Sequence, residues 1–82
     1  MKVAAIFSNN MVLQREKNIN IWGTGSDGDF VTVTIDNSSK TSKIKDNKWN
    51  IILPSMPAGG PYEVNVSDGK SLVKFSNVIV DL

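Results

Sequence analysis

The stretch Phe30-Val31-Thr32-Val33-Thr34-Ile35-Asp36 determines how the rest of the chain is interpreted. In an extended strand, its three aliphatic residues would point to one side and its two threonines to the other. All of these side chains are β-branched, which favours a strand over a helix. We therefore predict a strand that buries one face in a core and leaves the other face open to solvent.

The same alternation recurs along the chain between turn residues, and no stretch has a helical pattern. Further extended segments are predicted over residues 3–7, 11–14, 18–22, 40–45, 48–53, 62–67, 71–75 and 77–82. The polar segment 40–45 is typical of an edge strand, and Asp46-Asn47 is predicted to form a tight hairpin with positive φ at Asn47. About eight short strands predict an all-β fold, an antiparallel β-sandwich of immunoglobulin-like or jelly-roll type.

The composition restricts the function more than the fold. The chain has 82 residues, which predicts one domain over 1–82, and its net charge of +1 gives no basic patch for nucleic acid or an anionic membrane. It has no Cys and no His, so we expect no catalytic residue, metal site or cofactor in this chain. Its apolar runs are too short to cross a bilayer. The compartment stays open: cytoplasmic, or secreted or periplasmic if a signal peptide has been removed.

Several blocks resemble, in order and spacing, the start of sialate O-acetylesterases. They are Phe7-Ser8-Asn9-Asn10-Met11-Val12-Leu13-Gln14-Arg15, Ile21-Trp22-Gly23, Val31-Thr32-Val33, Lys48-Trp49, Leu53-Pro54, Met56, Ala58-Gly59-Gly60-Pro61-Tyr62-Glu63-Val64 and Val78-Ile79-Val80-Asp81-Leu82. The blocks extend over essentially the whole chain, and the first is the most specific of them.

This resemblance implies a function in which the chemistry lies outside the chain. Known members are carbohydrate esterases of the SGNH-hydrolase superfamily that remove O-acetyl groups from sialic acids, and some relatives act on other acetylated glycans such as xylan. In the family a β-sandwich precedes an α/β catalytic domain, which would follow Leu82. The nucleophilic Ser, in a Gly-x-Ser-Asn block, and its Asp and His partners would all lie there, so no catalytic residue is carried over. We expect a non-catalytic accessory domain that packs on an esterase domain in cis, with an acetylated glycan as a further partner.

Two departures from the family pattern concern turns. The first block usually reads Phe-Ser-Asp-Asn, and Asn9 here replaces the acid; a turn or capping role survives that change, because Asn and Asp cap alike. The hairpin before Trp49 is usually Asp-Gly, and here it is Asp46-Asn47. Asn is the next best residue for that backbone, so the hairpin should remain.

The first block is also where we predict the interface with a neighbouring domain. Asn10, Gln14 and Arg15 would supply polar contacts there, and we expect Met11 and Leu13 to expose apolar surface on a strand too short to belong to the core. The predicted interdomain interface consists of Asn10, Met11, Leu13, Gln14, Arg15 and Trp22. The alternative is turn bonding for Asn10 and simple solvation for Gln14 and Arg15.

The two tryptophans differ in what the pattern predicts. Trp49 shares a face with Ile51 and Leu53 and is predicted to lie in the core. Trp22 alternates with Ile19 and Ile21, so core packing, interdomain packing and sugar stacking all remain open for it.

Two other functions compete with the accessory domain. A free-standing carbohydrate-binding module would need exposed aromatic residues on a sheet face or loop tip. A structural immunoglobulin-like spacer would show no apolar patch near Met11 and Leu13. If such a patch exists, the isolated chain should self-associate weakly, for example as a homodimer.

Overall fold

The computed structural model of the chain describes residues 1–81. Within this range it contains eight strands and no helix. They are β1 Lys2–Val3, β2 Val12–Gln14, β3 Ile19–Thr24, β4 Phe30–Ile35, β5 Ser38–Lys43, β6 Lys48–Leu53, β7 Gly59–Ser67 and β8 Leu72–Asp81. Two sheets face each other as a sandwich, which confirms the predicted all-β fold.

The sheets divide the strands unequally. One sheet has three strands in the order β1-β3-β6, and the other has five in the order β2-β8-β7-β4-β5. Their pairings are antiparallel except for β2, which runs parallel to β8. This parallel pair is a detail that the sequence pattern did not predict, because period-two alternation carries no information about strand direction.

The inward faces of both sheets form one apolar core. Its buried side chains are Ile19, Ile21, Val31, Val33, Ile35, Ile44, Trp49, Ile51, Leu53, Val64, Val66 and Val78, and Val80 is buried as well. Trp49 is only 3% exposed, and its indole N–H donates to the carbonyl oxygen of Thr24 at 3.2 Å. The predicted core positions of β4 and β6, including Trp49, are confirmed.

The first predicted strand is much shorter than the segment 3–7. The ladder with β3 comprises Lys2–Val3, and the amide of Ala4 adds a bond to the carbonyl of Trp22 at 2.9 Å. The chain then turns, with the amide of Phe7 donating to the carbonyl of Ala4 at 3.1 Å. Ala has a low preference for strands, and two of them follow Val3 directly.

The last two predicted strands, 71–75 and 77–82, form the single strand β8. Asn77, at φ 55°, interrupts the alternation, and the register of β8 against β7 shifts close to this point. An Asn in the left-handed region can produce a bulge within a continuing strand as well as a turn. The predicted end at Leu82 lies outside the described residues. Strand β7, which pairs with β8, begins at Gly59, three residues before the start of the segment 62–67 that the sequence pattern predicts.

The hairpin and edge predictions are confirmed. Asp46 and Asn47 both have positive φ, at 55° and 61°, and the backbone groups of Lys45 and Lys48 bond each other across the turn. Two consecutive positive φ values match the twist of a hairpin. Strand β5 lies at the outer edge of the five-stranded sheet, as its polar sequence predicts.

Candidate functional site

Hydrogen bonds connect the loop that precedes β2 to the bulge of β8. The side-chain oxygen of Asn9 accepts a hydrogen bond from the amide of Ser76 at 2.9 Å, and the amide of Asn10 donates to the carbonyl of Ser76 at the same distance. The side-chain amide of Asn77 donates to the side-chain oxygen of Asn10 at 2.8 Å. Asn10 has φ 65°. Both asparagines therefore act in turn bonding, which is the role that survives replacement of Asp by Asn.

Strand β2 lies at the edge of the five-stranded sheet, opposite β5. Its alternation is the reverse of the predicted one, because Met11 and Leu13 are half-buried against the core. The exposed apolar side chain is Val12, which is 61% exposed and paired with Ile79 of β8. The expectation that Met11 and Leu13 expose apolar surface is thus wrong, since pairing with β8 turns them toward the core.

Gln14 and Arg15 follow at the end of the same strand. Both side chains are exposed. Gln14 pairs with Asp81, and the amide of Arg15 donates to the carbonyl of Asp81 at 2.6 Å. The polar side chains at this end of β2 therefore lie beside the last described residue of β8.

Trp22 lies on the other sheet, so the six predicted interface residues do not form one continuous strand surface. It is on the outward face of β3 and is 40% exposed, which excludes it from the core. The ring of Phe7 packs edge to face against it, with 4.8 Å between ring centroids and 79° between planes. Whether Trp22, or any residue of the β2 edge, contacts another domain stays a prediction.

The residues around Trp22 were not identified from the sequence. Asn50 lies directly opposite it on β6, Ile52 opposite Asn20, and Thr24 pairs with both Lys2 and Lys48. The outward side chains of the three-stranded sheet, which we call the Trp22 face, are Lys2, Asn20, Trp22, Thr24, Lys48, Asn50 and Ile52. Periodicity predicted which way these side chains point, but only the strand register brings them together.

Among the described residues there is no cluster of three or more metal-binding side chains and no helix that could cross a membrane. Asp68 has a pKa lowered to about 2, because its carboxylate accepts hydrogen bonds from the amides of Ser71 and Lys70. These bonds, at 2.7 and 2.9 Å, close the turn between β7 and β8. The lowered pKa of Asp68 therefore results from hydrogen bonds that stabilise this turn.

A shallow open groove lies between β5 and β6, where the two sheets meet at one edge. It is lined by Asn18, Ser39, Lys40, Ile52, Leu53 and Pro54. The amine of Lys40 donates to the carbonyl of Ile52 at 3.3 Å, so this side chain links an edge strand to the opposite sheet.

Comparison with known proteins gives a consistent result. No protein-family model matches the chain. Human sialate O-acetylesterase is 32% identical over 89 aligned positions that include 99% of this chain, and the mouse protein is 33% identical over the same share. The chain spans only 17% of the human relative and 16% of the mouse one.

A solved structure extends the likeness to three dimensions. The crystal structure of a carbohydrate acetylesterase from Xanthomonas citri matches 98% of this chain with a TM-score of 0.93 and 27% identity. The match takes up 19% of that protein. The resemblance to the sialate O-acetylesterase family is therefore confirmed, for a chain that corresponds to a minor, domain-sized segment of its members.

Proposed function

We propose that this chain is a non-catalytic, N-terminal accessory domain of a carbohydrate O-acetylesterase that packs on the catalytic domain. The observation that carries the proposal is the match of almost the whole chain to a small part of much longer esterases, 17% of the human protein and 19% of the bacterial one. A segment that is one complete sandwich with its own core is typical of a domain within a multidomain protein.

The chemistry of the side chains supports a non-catalytic role. Ester hydrolysis by a serine nucleophile needs a base within hydrogen-bond reach. The sequence contains no His to act as that base. Asp68, whose pKa is low, accepts hydrogen bonds from backbone amides of its own turn. The esterase chemistry is thus assigned to another part of the parent protein.

For the docking surface we propose the edge along β2, where Asn10, Gln14 and Arg15 supply polar groups and Met11 and Leu13 contribute only the part of their surface that the core leaves open. Val12 adds exposed apolar area in the middle of this edge. Gln14 and Arg15 lie beside Asp81, so a domain that followed β8 would emerge next to them. Hydrogen bonds from the Asn9–Asn10 turn to β8 hold this edge in a fixed position, which reduces the ordering cost of docking.

The sequence of the complete gene provides the first test. Under this proposal it encodes a Gly-x-Ser-Asn block shortly after Leu82, with an Asp and a His further on. An open reading frame that ends or changes to an unrelated domain there would contradict the proposal. The purified chain alone should not hydrolyse O-acetylated sialic acid, whereas the complete protein should.

Docking itself is tested in the complete protein with Val12→Lys and Arg15→Glu. Each should lower its melting temperature or its esterase activity, because the contact with the catalytic domain is lost. Lys43→Glu, an exposed charge change on the opposite edge strand, is the matched control. Equal effects of all three variants, or no effect of the first two, would argue against this surface.

A further inference from the structure

We infer that the free edge of β5 binds an extended acidic peptide, which adds to the five-stranded sheet as a further strand. This site lies at the opposite edge of that sheet from the proposed docking edge, because the strand order is β2-β8-β7-β4-β5. Such binding goes beyond the accessory role and does not depend on it.

The outer edge of β5 offers backbone groups for pairing. Among the described strands β5 pairs only with β4, and residues of an antiparallel strand direct their backbone groups alternately toward the partner and away from it. The amide of Ile44, just beyond β5, donates to the carbonyl of Asp29 on the β4 side at 2.8 Å. The alternation therefore places the backbone groups of Ser39, Thr41 and Lys43, all exposed residues, on the outer edge. A peptide that adds a strand uses backbone groups of this kind.

The groove between β5 and β6 gives such a peptide access to the edge. Backbone bonds join Lys45 and Lys48 at the hairpin, but beyond them the two strands belong to different sheets and do not pair. The groove opens between the start of β5 and the end of β6. Ile52, on its wall, is 44% exposed. A peptide that pairs with β5 thus gains an apolar contact as well.

Side-chain hydrogen bonds restrain this edge before any peptide binds. The hydroxyl oxygens of Thr41 and Thr32 lie 2.7 Å apart, and those of Ser39 and Thr34 lie 3.1 Å apart. Both bonds join β5 to its neighbour β4. An edge that is already ordered loses less conformational entropy when a partner strand is added.

The charge of this region favours an acidic peptide. From the start of β5 to the end of β6 the chain holds four of its nine basic residues and one of its eight acidic residues, so this segment carries +3 and the rest of the chain −2. The four are Lys40, Lys43, Lys45 and Lys48, and all are exposed. None takes part in an ion pair within the described residues. A basic edge attracts an acidic strand and repels a second copy of itself.

Two of these lysines flank the groups that would pair with the peptide. Lys40 and Lys43 lie on either side of Thr41, and their side chains point to opposite faces of the sheet. The amine of Lys40 donates to the carbonyl of Ile52 at 3.3 Å. An ammonium group has three N–H donors, so it can keep this bond and also bind a carboxylate. Acidic side chains on either face of the added strand would therefore meet a lysine.

The test is a fluorescence anisotropy titration of the purified chain into a labelled peptide of alternating glutamate and threonine. We expect saturable binding, and NMR amide shifts of the 15N-labelled chain centred on β5 and the end of β6. The same peptide N-methylated at every residue keeps its charges but has no backbone donors, and it should not bind. No saturable binding, shifts centred elsewhere, or equal binding of the methylated peptide would overturn the inference.

A single-stranded oligothymidylate of the same charge distinguishes strand pairing from attraction of any polyanion. It cannot form a ladder with β5, so it should bind more weakly than the peptide. Binding as strong as that of the peptide would make the edge a general anion site and would contradict the inference.

Variants assign the binding to β5. Lys40→Gln with Lys43→Gln should weaken it about tenfold, as expected when two solvent-exposed ion pairs are lost. Lys2→Gln with Lys74→Gln, which removes two exposed charges on other strands, is the matched control and should change nothing. Equal losses in the two lysine pairs would refute the assignment.

Thr41→Pro removes an amide on the outer edge, where Pro is tolerated, and should abolish binding while the charges remain. Retained binding in this variant would count against pairing with β5. If the variant folds poorly, the N-methylated peptide tests the same point on the unchanged chain. Because the isolated chain is used, the result is independent of docking to an esterase domain.

Discussion

The side-chain oxygen of Asn9 accepts a hydrogen bond from the amide of Ser76, which lies 67 positions later in the chain. This bond fastens the turn before β2 to the bulge of β8. It also explains how the first block can contain Asn where the family has Asp, because the acceptor oxygen is present in both side chains.

We predict that Asn9→Asp leaves stability nearly unchanged, whereas Asn9→Ala lowers the free energy of unfolding by about 1 kcal/mol, the net value of one such hydrogen bond. Urea denaturation of the isolated chain measures both. Ser8→Ala, at a neighbouring exposed position, is the control. A loss in the Asp variant as large as in the Ala variant would mean that the amide group is needed for something other than accepting this bond.

Gly23 is predicted to be the most restrictive glycine. A Cβ there would overlap the carbonyl oxygen of Lys2 and come within 2.7 Å of the Trp49 ring. Gly23→Ala should therefore destabilise the chain by about 3 kcal/mol, at the upper end for overpacking.

Gly69→Ala is the comparison for this variant. Gly69 has φ 86° and no atom within 4 Å of its Cβ position, so it should lose only the 1–2 kcal/mol, roughly, of a left-handed residue. If the two variants melted at the same temperature, the close contact of β1 with β3 would not be the cause of the destabilisation in Gly23→Ala.

The two tryptophans should respond differently to replacement by Phe. Trp49→Phe removes a buried indole and its bond to Thr24, so we expect a loss of about 2 kcal/mol. Trp22→Phe changes an exposed ring and should cost less than about 0.5 kcal/mol. Thermal melts followed by far-UV circular dichroism decide this, and a larger loss at Trp22 would contradict the core assignment.

We expect Asp68 to make the free energy of unfolding fall at acidic pH. Its pKa is about 2 in the folded chain and 3.8 in the reference state, so the unfolded chain binds the proton first as pH falls. The stabilisation is then complete above about pH 3.8 and is lost as pH falls toward 2.

Urea midpoints measured between pH 6 and 2 should therefore fall less steeply in Asp68→Asn than in the wild type over that interval. Asp36→Asn, which removes an exposed carboxylate in another turn, should keep the wild-type slope. A wild-type slope in the Asp68 variant would show that its turn bonds do not depend on charge.

Weak self-association of the isolated chain stays a prediction, now located at Val12. An exposed apolar residue on an edge strand favours pairing with a second copy. Sedimentation velocity at rising concentration should show a concentration-dependent increase in mass that Val12→Lys removes. A monomer at all concentrations would remove this support for an apolar docking edge.

The sequence predicted those features of the fold that depend on local alternation and turn chemistry. The strand at Phe30–Ile35, the Asp46-Asn47 hairpin and the core position of Trp49 are of this kind. The sequence pattern did not predict the features that depend on how the strands pair. The inward turn of Met11 and Leu13 results from the parallel register with β8, and Asn77 continues a strand because residues far earlier in the chain bond to its neighbourhood.

The same distinction applies to the candidate sites. The sequence identified Trp22 as an unusual residue but could not associate it with Asn50 or Lys48, which are distant in the chain and become its neighbours only through the register of β3 with β6. Conversely, Asn10, Gln14 and Arg15 were grouped by proximity in sequence, and the structure keeps them on one edge.

The parallel pairing of β2 with β8 also has a consequence for biosynthesis. Strand β2 is made early, and β8, its partner in the described sheet, is the last of the eight described strands to be made, so the edge of the five-stranded sheet cannot close until residues 72–81 have left the ribosome. At about 5–20 residues per second, β2 would wait several seconds for β8. During that wait Met11 and Leu13 remain uncovered, and early chaperone contact is expected at this strand rather than at β4, which can pair with β5 as soon as both have emerged.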